Sequence, residues 1–197
     1  MLDQLNTSLS LIISQTQENA PYLGLIMLIL WGVFIANKLV GNRLVFLGII
    51  PRHILGVPGI LFAPFLHANF NHLFFNSIPL IVLSNFILVH GLYYFLEVTL
   101  VITLLSGFLI WCFAKPGIHI GASALVTGYW GLLVSGIYQE GSLTAIILGI
   151  ISLYYFAGIF LGIFPGKKGV SWEGHLFGLL AGIAVSFMFY NPLIPLT

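Results

Sequence analysis

The chain has 197 residues, of which 59% are hydrophobic and 6% charged, with a formal net charge of +1 and a mean hydropathy of +1.10. Soluble domains carry roughly 25% charged residues, so this chain cannot cover a water-facing surface and belongs in a bilayer. The near-neutral charge excludes a nucleic-acid footprint, the single cysteine, Cys112, excludes an intramolecular disulfide, and the length suits one domain.

The first twenty residues lack a basic n-region and carry Asp3 and Glu18, which does not fit a signal peptide. Leu2, Leu5, Leu9, Ile12 and Ile13 recur at helical spacing, which predicts a short amphipathic helix on the membrane over 1–20. Its polar face has no Lys or Arg, so it would bind the surface weakly. A helix needs about 20 apolar residues to cross a bilayer. Six stretches qualify: Pro21–Asn37, Phe70–Val89, Tyr93–Phe113, Ser123–Tyr138, Leu143–Ile163 and Val170–Tyr190. The expected architecture is an all-α integral membrane bundle of six transmembrane helices over 21–190, followed by a short tail over 191–197.

Two loops are unusual. Lys38–Asn69 carries the apolar runs VFLGII and VPGILFAPFL, broken by Pro51, Pro58 and Pro64, and reads as a partly membrane-embedded element. AKPGIHIGA, residues 114–122, leads into Ser123. The span that follows measures about 24 Å at 1.5 Å per residue, against a hydrocarbon core of about 30 Å. It is therefore expected to begin below the membrane surface, where irregular backbone survives only if protein buries it or water reaches it.

Polar groups inside a membrane are costly and point to function. With six spans, the second, fourth and sixth run the same way, which places His72, Asn76, Ser123 and His175 toward one membrane face. Ser123, Thr127, Gly131 and Ser135 recur every four residues, and Gly178 and Gly182 form a GxxxG after His175. Packing through such small-residue stripes would bring Ser123 and His175 together. His72 and Asn76 share a helix face at i, i+4. A serine becomes a nucleophile when a base such as neutral histidine lies within reach. Asn76, His72 and the Ser123 N–H are candidate donors for an oxyanion. No intramembrane carboxylate is placed to orient the histidine: Glu173, two residues before His175, is on the wrong helix face. The pattern reads as a Ser–His dyad.

Each residue also has a plainer reading. Ser123 alone is a helix cap or packing residue as readily as a nucleophile, and Leu125 breaks the GxSxG elbow of soluble hydrolases. His175, and His72 with Asn76, are equally readable as structural hydrogen-bonding groups. His67 and His72, five apart, are poorly spaced as metal ligands, and HExxH is absent. His53, His90 and His119 sit in or beside loops and receive no role.

Three motifs in this order resemble the rhomboid family of intramembrane serine proteases: FLHANFNHLFFN (Phe65–Asn76), GASA (Gly121–Ala124) followed by GYWG, and GHLFGLLAG (Gly174–Gly182). The similarity covers roughly Pro21–Tyr190. It implies a rhomboid-like six-helix bundle, with Ser123 as nucleophile and His175 as general base. His72 and Asn76 would line the oxyanion site, with Gly121, Gly178 and Gly182 packing helices beside it. It further implies a serine endopeptidase that cuts transmembrane segments of other membrane proteins, without metal or cofactor. Three departures stand out. Ala124 replaces the usual glycine after the serine, Thr127 stands where an aromatic often stacks on the histidine, and the first loop lacks the usual Trp-Arg pair while keeping Arg52. Relatives without the dyad act as scaffolds for membrane clients, which is the alternative function. A small transporter or haem-binding bundle is a third reading, and the chain lacks the internal repeat common in transporters. An aspartyl protease is excluded because Asp3 is the only aspartate.

Every Lys and Arg lies in an odd-numbered loop: Lys38, Arg43, Arg52, Lys115, Lys167 and Lys168. The positive-inside rule places those loops, and the mouth of the site, in the cytoplasm. The resemblance implies the opposite orientation, in a bacterial plasma membrane with an extracytoplasmic mouth, and that orientation is the expectation adopted.

Overall fold

The computed structural model describes residues 2–164 and 171–189. Six long helices carry the fold: α1 (Leu2–Leu39), α3 (Phe70–Leu88), α4 (Leu92–Phe113), α5 (Ser123–Gln139), α6 (Leu143–Phe156) and α8 (Trp172–Phe189). Two four-residue pieces, α2 (Gly59–Phe62) and α7 (Gly158–Leu161), sit in the connections. By length and composition α1, α3, α4 and α8 can cross a membrane. At 17 and 14 residues, α5 and α6 are shorter than the other four. The fifth expected span, Leu143–Ile163, is interrupted at Ala157, and the expected start of the sixth at Val170 lies outside the described residues.

The N-terminal region differs from expectation. No separate surface helix is present over 2–20; α1 runs without a break through Pro21 to Leu39. An interior proline removes one backbone donor and crowds the carbonyl four residues back, but side chains on both sides of Pro21 hold α1 antiparallel to α3. Asn85 takes a hydrogen bond from Asn19 (3.1 Å) and gives one to Thr16 (2.8 Å). Trp31 donates to Ser77 (3.2 Å), and the Lys38 ammonium donates to the Ala68 carbonyl (3.3 Å). Further back, Thr144 on α6 donates to Ser8 (3.2 Å). Such bonds are favoured where lipid offers no competing partner.

The first loop is folded against protein rather than solvated. Its prolines limit it to short helical pieces (Arg43–Leu47, Ile54–Gly56, α2 and Ala63–Phe65), which leave backbone groups to be satisfied elsewhere. Ile49 exchanges both backbone bonds with His119 (3.0 and 2.8 Å), and the Gly121 N–H donates to the Ala63 carbonyl (2.9 Å). Arg52 seals the end of α4: its N–H bonds the Trp111 carbonyl (2.8 Å), and its guanidinium bonds the carbonyls of Cys112 (3.1 Å) and Ala114 (2.8 Å). A cation suits a helix C-terminus. Trp111 returns a bond to the His53 carbonyl (3.0 Å). Trp111 and the Arg52–His53 backbone, from different elements, are thus bonded to each other at the end of α4. Phe46, Ile54 and Leu55 point outward, 69 to 75% exposed, which suits lipid rather than water.

At the centre stands α5. Every residue from Leu125 to Leu133 is buried, as expected of a helix enclosed by its neighbours. Its tightest partner is α8, which runs parallel to it. A Cβ on Gly178 would overlap the Ala124 carbonyl and the Thr127 hydroxyl, and one on Gly182 would overlap the Gly128 carbonyl. Gly131 faces the Leu179 carbonyl. The α5 side of this seam is therefore Ala124, Thr127, Gly128 and Gly131. The predicted every-four stripe of Ser123, Thr127, Gly131 and Ser135 is rotated slightly, so that Ser123 lies beside the seam rather than within it. Gly128 was not among the expected packing residues.

Overpacking costs about 1–3 kcal/mol. Gly182→Ala is expected to destabilise the protein by about that much, measured by thermal unfolding in detergent. Gly24→Ala on α1, where a methyl meets nothing within 4 Å, should be neutral or slightly stabilising.

Candidate active site

The N-terminal ends of α3, α5 and α8 converge. Asn69 caps α3 by accepting from the His72 N–H (2.9 Å), which fixes the start of the helix that carries His72 and Asn76. Gly121, at φ 118°, turns the chain into α5. Only glycine fits there, because the angle disfavours a side chain and because a Cβ would lie 2.7 Å from the His72 ring and 3.5 Å from the Asn76 amide nitrogen. The backbone before Ser123 therefore rests against His72 and Asn76.

One residue of this cluster had no predicted role. His67 is fully buried. Its Nε2 meets the Asn76 amide nitrogen at 3.2 Å and the Ala122 N–H at 3.4 Å. Two donors converge there, so Nε2 is the acceptor and the ring is neutral. Burial foremost, then the charge of His72, pushes its pKa down from 6.5 to about 4, against an opposing pull from the Phe65 backbone. The His67 and His72 rings lie edge to face at 5.0 Å. His67 thus joins the end of the first loop, Asn76 and the turn before Ser123. Its place in FLHANFNHLFFN was the available signal, but five-residue spacing does not share a helix face, and the helix begins only after it.

Ser123 opens α5, half-buried, and lines a cavity of about 40 Å³ with His119, Gly121, Ala124, Ser171 and Gly174 among others. His175 lies one turn into α8, within electrostatic reach of His72. Its Nδ1 is buried against Gly162, where a Cβ would overlap it, and has no hydrogen-bond partner among the described residues. No hydrogen bond joins Ser123 Oγ to His175 among the described residues. Thr127 does not reach toward His175: its hydroxyl donates to the carbonyls of Ser123 (2.8 Å) and Ala124 (3.0 Å) within α5. Glu173 is buried, with one carboxylate oxygen unpartnered among the described residues. The structure therefore gathers His72, Asn76 and Gly121 into direct contact and brings Ser123 and His175 to the same end of the seam.

Four charges, Lys38, Arg43, Arg52 and Lys115, flank this end of the bundle. Lys167 and Lys168 lie outside the described residues.

A bundle of apolar helices with a polar cluster at one end defines a multi-pass integral membrane protein. The Rhomboid domain family matches residues 56–192, and the chain belongs to that family. It is similar to uncharacterized proteins of Mycobacterium tuberculosis and Mycobacterium bovis, at 38% identity over 174 residues, which covers 83% of this chain and 72% of each relative. An uncharacterized protein of Mycobacterium leprae is also 38% identical, over 68% of this chain and 57% of its own length.

Because His67 titrates near 4 when folded and near 6.5 when unfolded, only the unfolded chain binds its proton between those values. Stability is then lost as pH falls through that window and levels off below it. The unfolding midpoint should drop between about pH 6.5 and 4, and His67→Gln should flatten that dependence.

Proposed function

We propose that this protein is an intramembrane serine endopeptidase that cleaves transmembrane segments of other membrane proteins with a Ser123–His175 dyad. The carrying observation is the convergence of the α3, α5 and α8 N-termini, in a rhomboid-family chain, around a half-buried serine. Ser123 Oγ attacks the scissile carbonyl carbon as His175 takes the hydroxyl proton. Charge then develops on the carbonyl oxygen, and the Ser123 N–H, the His72 ring and the Asn76 amide are the donors for it. The C–N bond breaks, His175 returns the proton to the leaving amine, and an acyl-Ser123 intermediate remains. Water, activated by His175, hydrolyses it. No metal or cofactor enters these steps. Substrate binding closes the Ser123–His175 hydrogen bond, since catalytic bonds are often long in unliganded sites and tighten in the reacting complex.

The open Ser123–His175 pair, with Ala124 and Thr127 in place of the usual glycine and aromatic, favours one second reading: an inactive scaffold that binds membrane clients. A fluorophosphonate probe in detergent separates the two. Wild type is expected to be labelled, with the label mapping to Ser123, and Ser123→Ala and His175→Ala should each lose labelling by at least about 100-fold. Folded wild type that stays unlabelled while an active relative reacts would support the scaffold.

In the same reading the mouth of the site faces away from the cytoplasm, across a bacterial plasma membrane. The basic residues at that end then contact headgroups or substrate. A cysteine at Lys167 in a Cys112→Ser background should react with impermeant thiol reagents added outside intact cells. Protection there would reverse the orientation.

A further inference from the structure

His119 takes no part in the proposed chemistry, yet it sits at a junction. Its backbone is paired to Ile49 of the first loop. Its Nε2 lies 2.9 Å from the Lys115 carbonyl oxygen, and its Nδ1 lies 3.0 Å from Ser171 Oγ. A carbonyl only accepts, so Nε2 carries the proton, Nδ1 accepts, and the Ser171 hydroxyl donates. Ser171 is also the N-cap of α8: its Oγ accepts from the Gly174 N–H (3.2 Å) and its carbonyl accepts from the His175 N–H (3.4 Å). One side-chain bond thus ties the loop that ends at Ser123 to the turn that begins the helix of His175. His119 and Ser171 line the same cavity as Ser123.

The tie matters because, among the described residues, no side chain hydrogen-bonds Nδ1 of the His175 imidazole. Thr127 is engaged within its own helix, and Nδ1 lies against the Gly162 backbone. The position of the ring therefore follows from the position of the first turn of α8. That turn is set by Ser171, and Ser171 is held by His119. Ser171 itself resembles a serine beside its base, but its oxygen is committed to the cap and would have to release the Gly174 N–H to react.

We propose that the His119–Ser171 hydrogen bond is a clamp that positions His175 against Ser123. This rests on the protease reading. His119 and Ser171 are positioning residues, not members of the dyad.

The test compares wild type with His119→Ala, Ser171→Ala, the double variant and Ser171→Thr. Amide exchange over residues 171–176 is measured together with fluorophosphonate labelling, resolved into probe affinity and maximal rate. Both alanine variants should speed exchange in the first turn of α8 and lower the maximal labelling rate by about 10- to 100-fold, the scale of a misplaced catalytic group. Probe affinity should stay within about 2-fold. The double variant should be no slower than the worse single one, because the two side chains make one bond. Ser171→Thr, which keeps the hydroxyl, should label at close to the wild-type rate and guards against misfolding of the alanine variants. Unchanged exchange in His119→Ala overturns the clamp. Faster exchange with wild-type labelling overturns its role in positioning the base, and a label that maps to Ser171 overturns the assignment of that serine. If wild type is unlabelled, the protease reading falls and the positioning role falls with it. Exchange alone then decides whether the His119–Ser171 bond orders α8.

Discussion

The approach of two backbones, α5 and α8, governs this molecule. Gly178 and Gly182 leave α8 without a Cβ where it meets α5, and carbonyl oxygens of Ala124 and Gly128 sit where methyl groups at those two positions would be. In lipid there is no hydrophobic gain from pairing helices, so close packing and hydrogen bonding must supply the association. A parallel pair at this spacing delivers its two N-termini to one place. The serine and the histidine of the candidate dyad are the residues found there, so the site is a consequence of the seam.

A short central helix creates a second problem, which the loops solve. The backbone that leads into Ser123 is irregular and becomes buried at Gly121 and Ala122, where its polar groups need partners. The first loop supplies them through the Ile49–His119 pairing and the Ala63 carbonyl, while Arg52 and Trp111 hold that loop to the end of α4. His67 adds a bond to the Ala122 N–H and another to Asn76. The residues that recognise an oxyanion in the proposed mechanism are thus seated by a network that also satisfies the turn before the nucleophile. This explains how a proline-broken segment can pack against a membrane bundle, its backbone paired at Ile49, Arg52 and Ala63.

Much of this was legible in the chain, because helical periodicity and span parity are one-dimensional properties. The convergence of the polar residues follows from counting spans, and the GxxxG after His175 announces a close helix contact. Other features were not legible. Leu5, Leu9 and Ile13 suggest a surface helix, yet α1 continues through Pro21, and polar pairs with α3 and α6, far away in sequence, tie its first half to the bundle. The every-four stripe on α5 misses Gly128, since which side of a helix meets its neighbour depends on all its contacts at once.

The sequence alone determined that this chain lives in a bilayer, that it is helical, and which polar residues must share one membrane face. Composition and spacing suffice for that, since lipid admits few alternatives to a helix for a chain so poor in charge. Tertiary structure decided the rotation of α5 against α8, the burial of His67 between Asn76 and the serine turn, and the bond from His119 to Ser171. These join residues up to 55 positions apart. No local pattern encodes them, because they exist only once packing has fixed how far apart the helices lie.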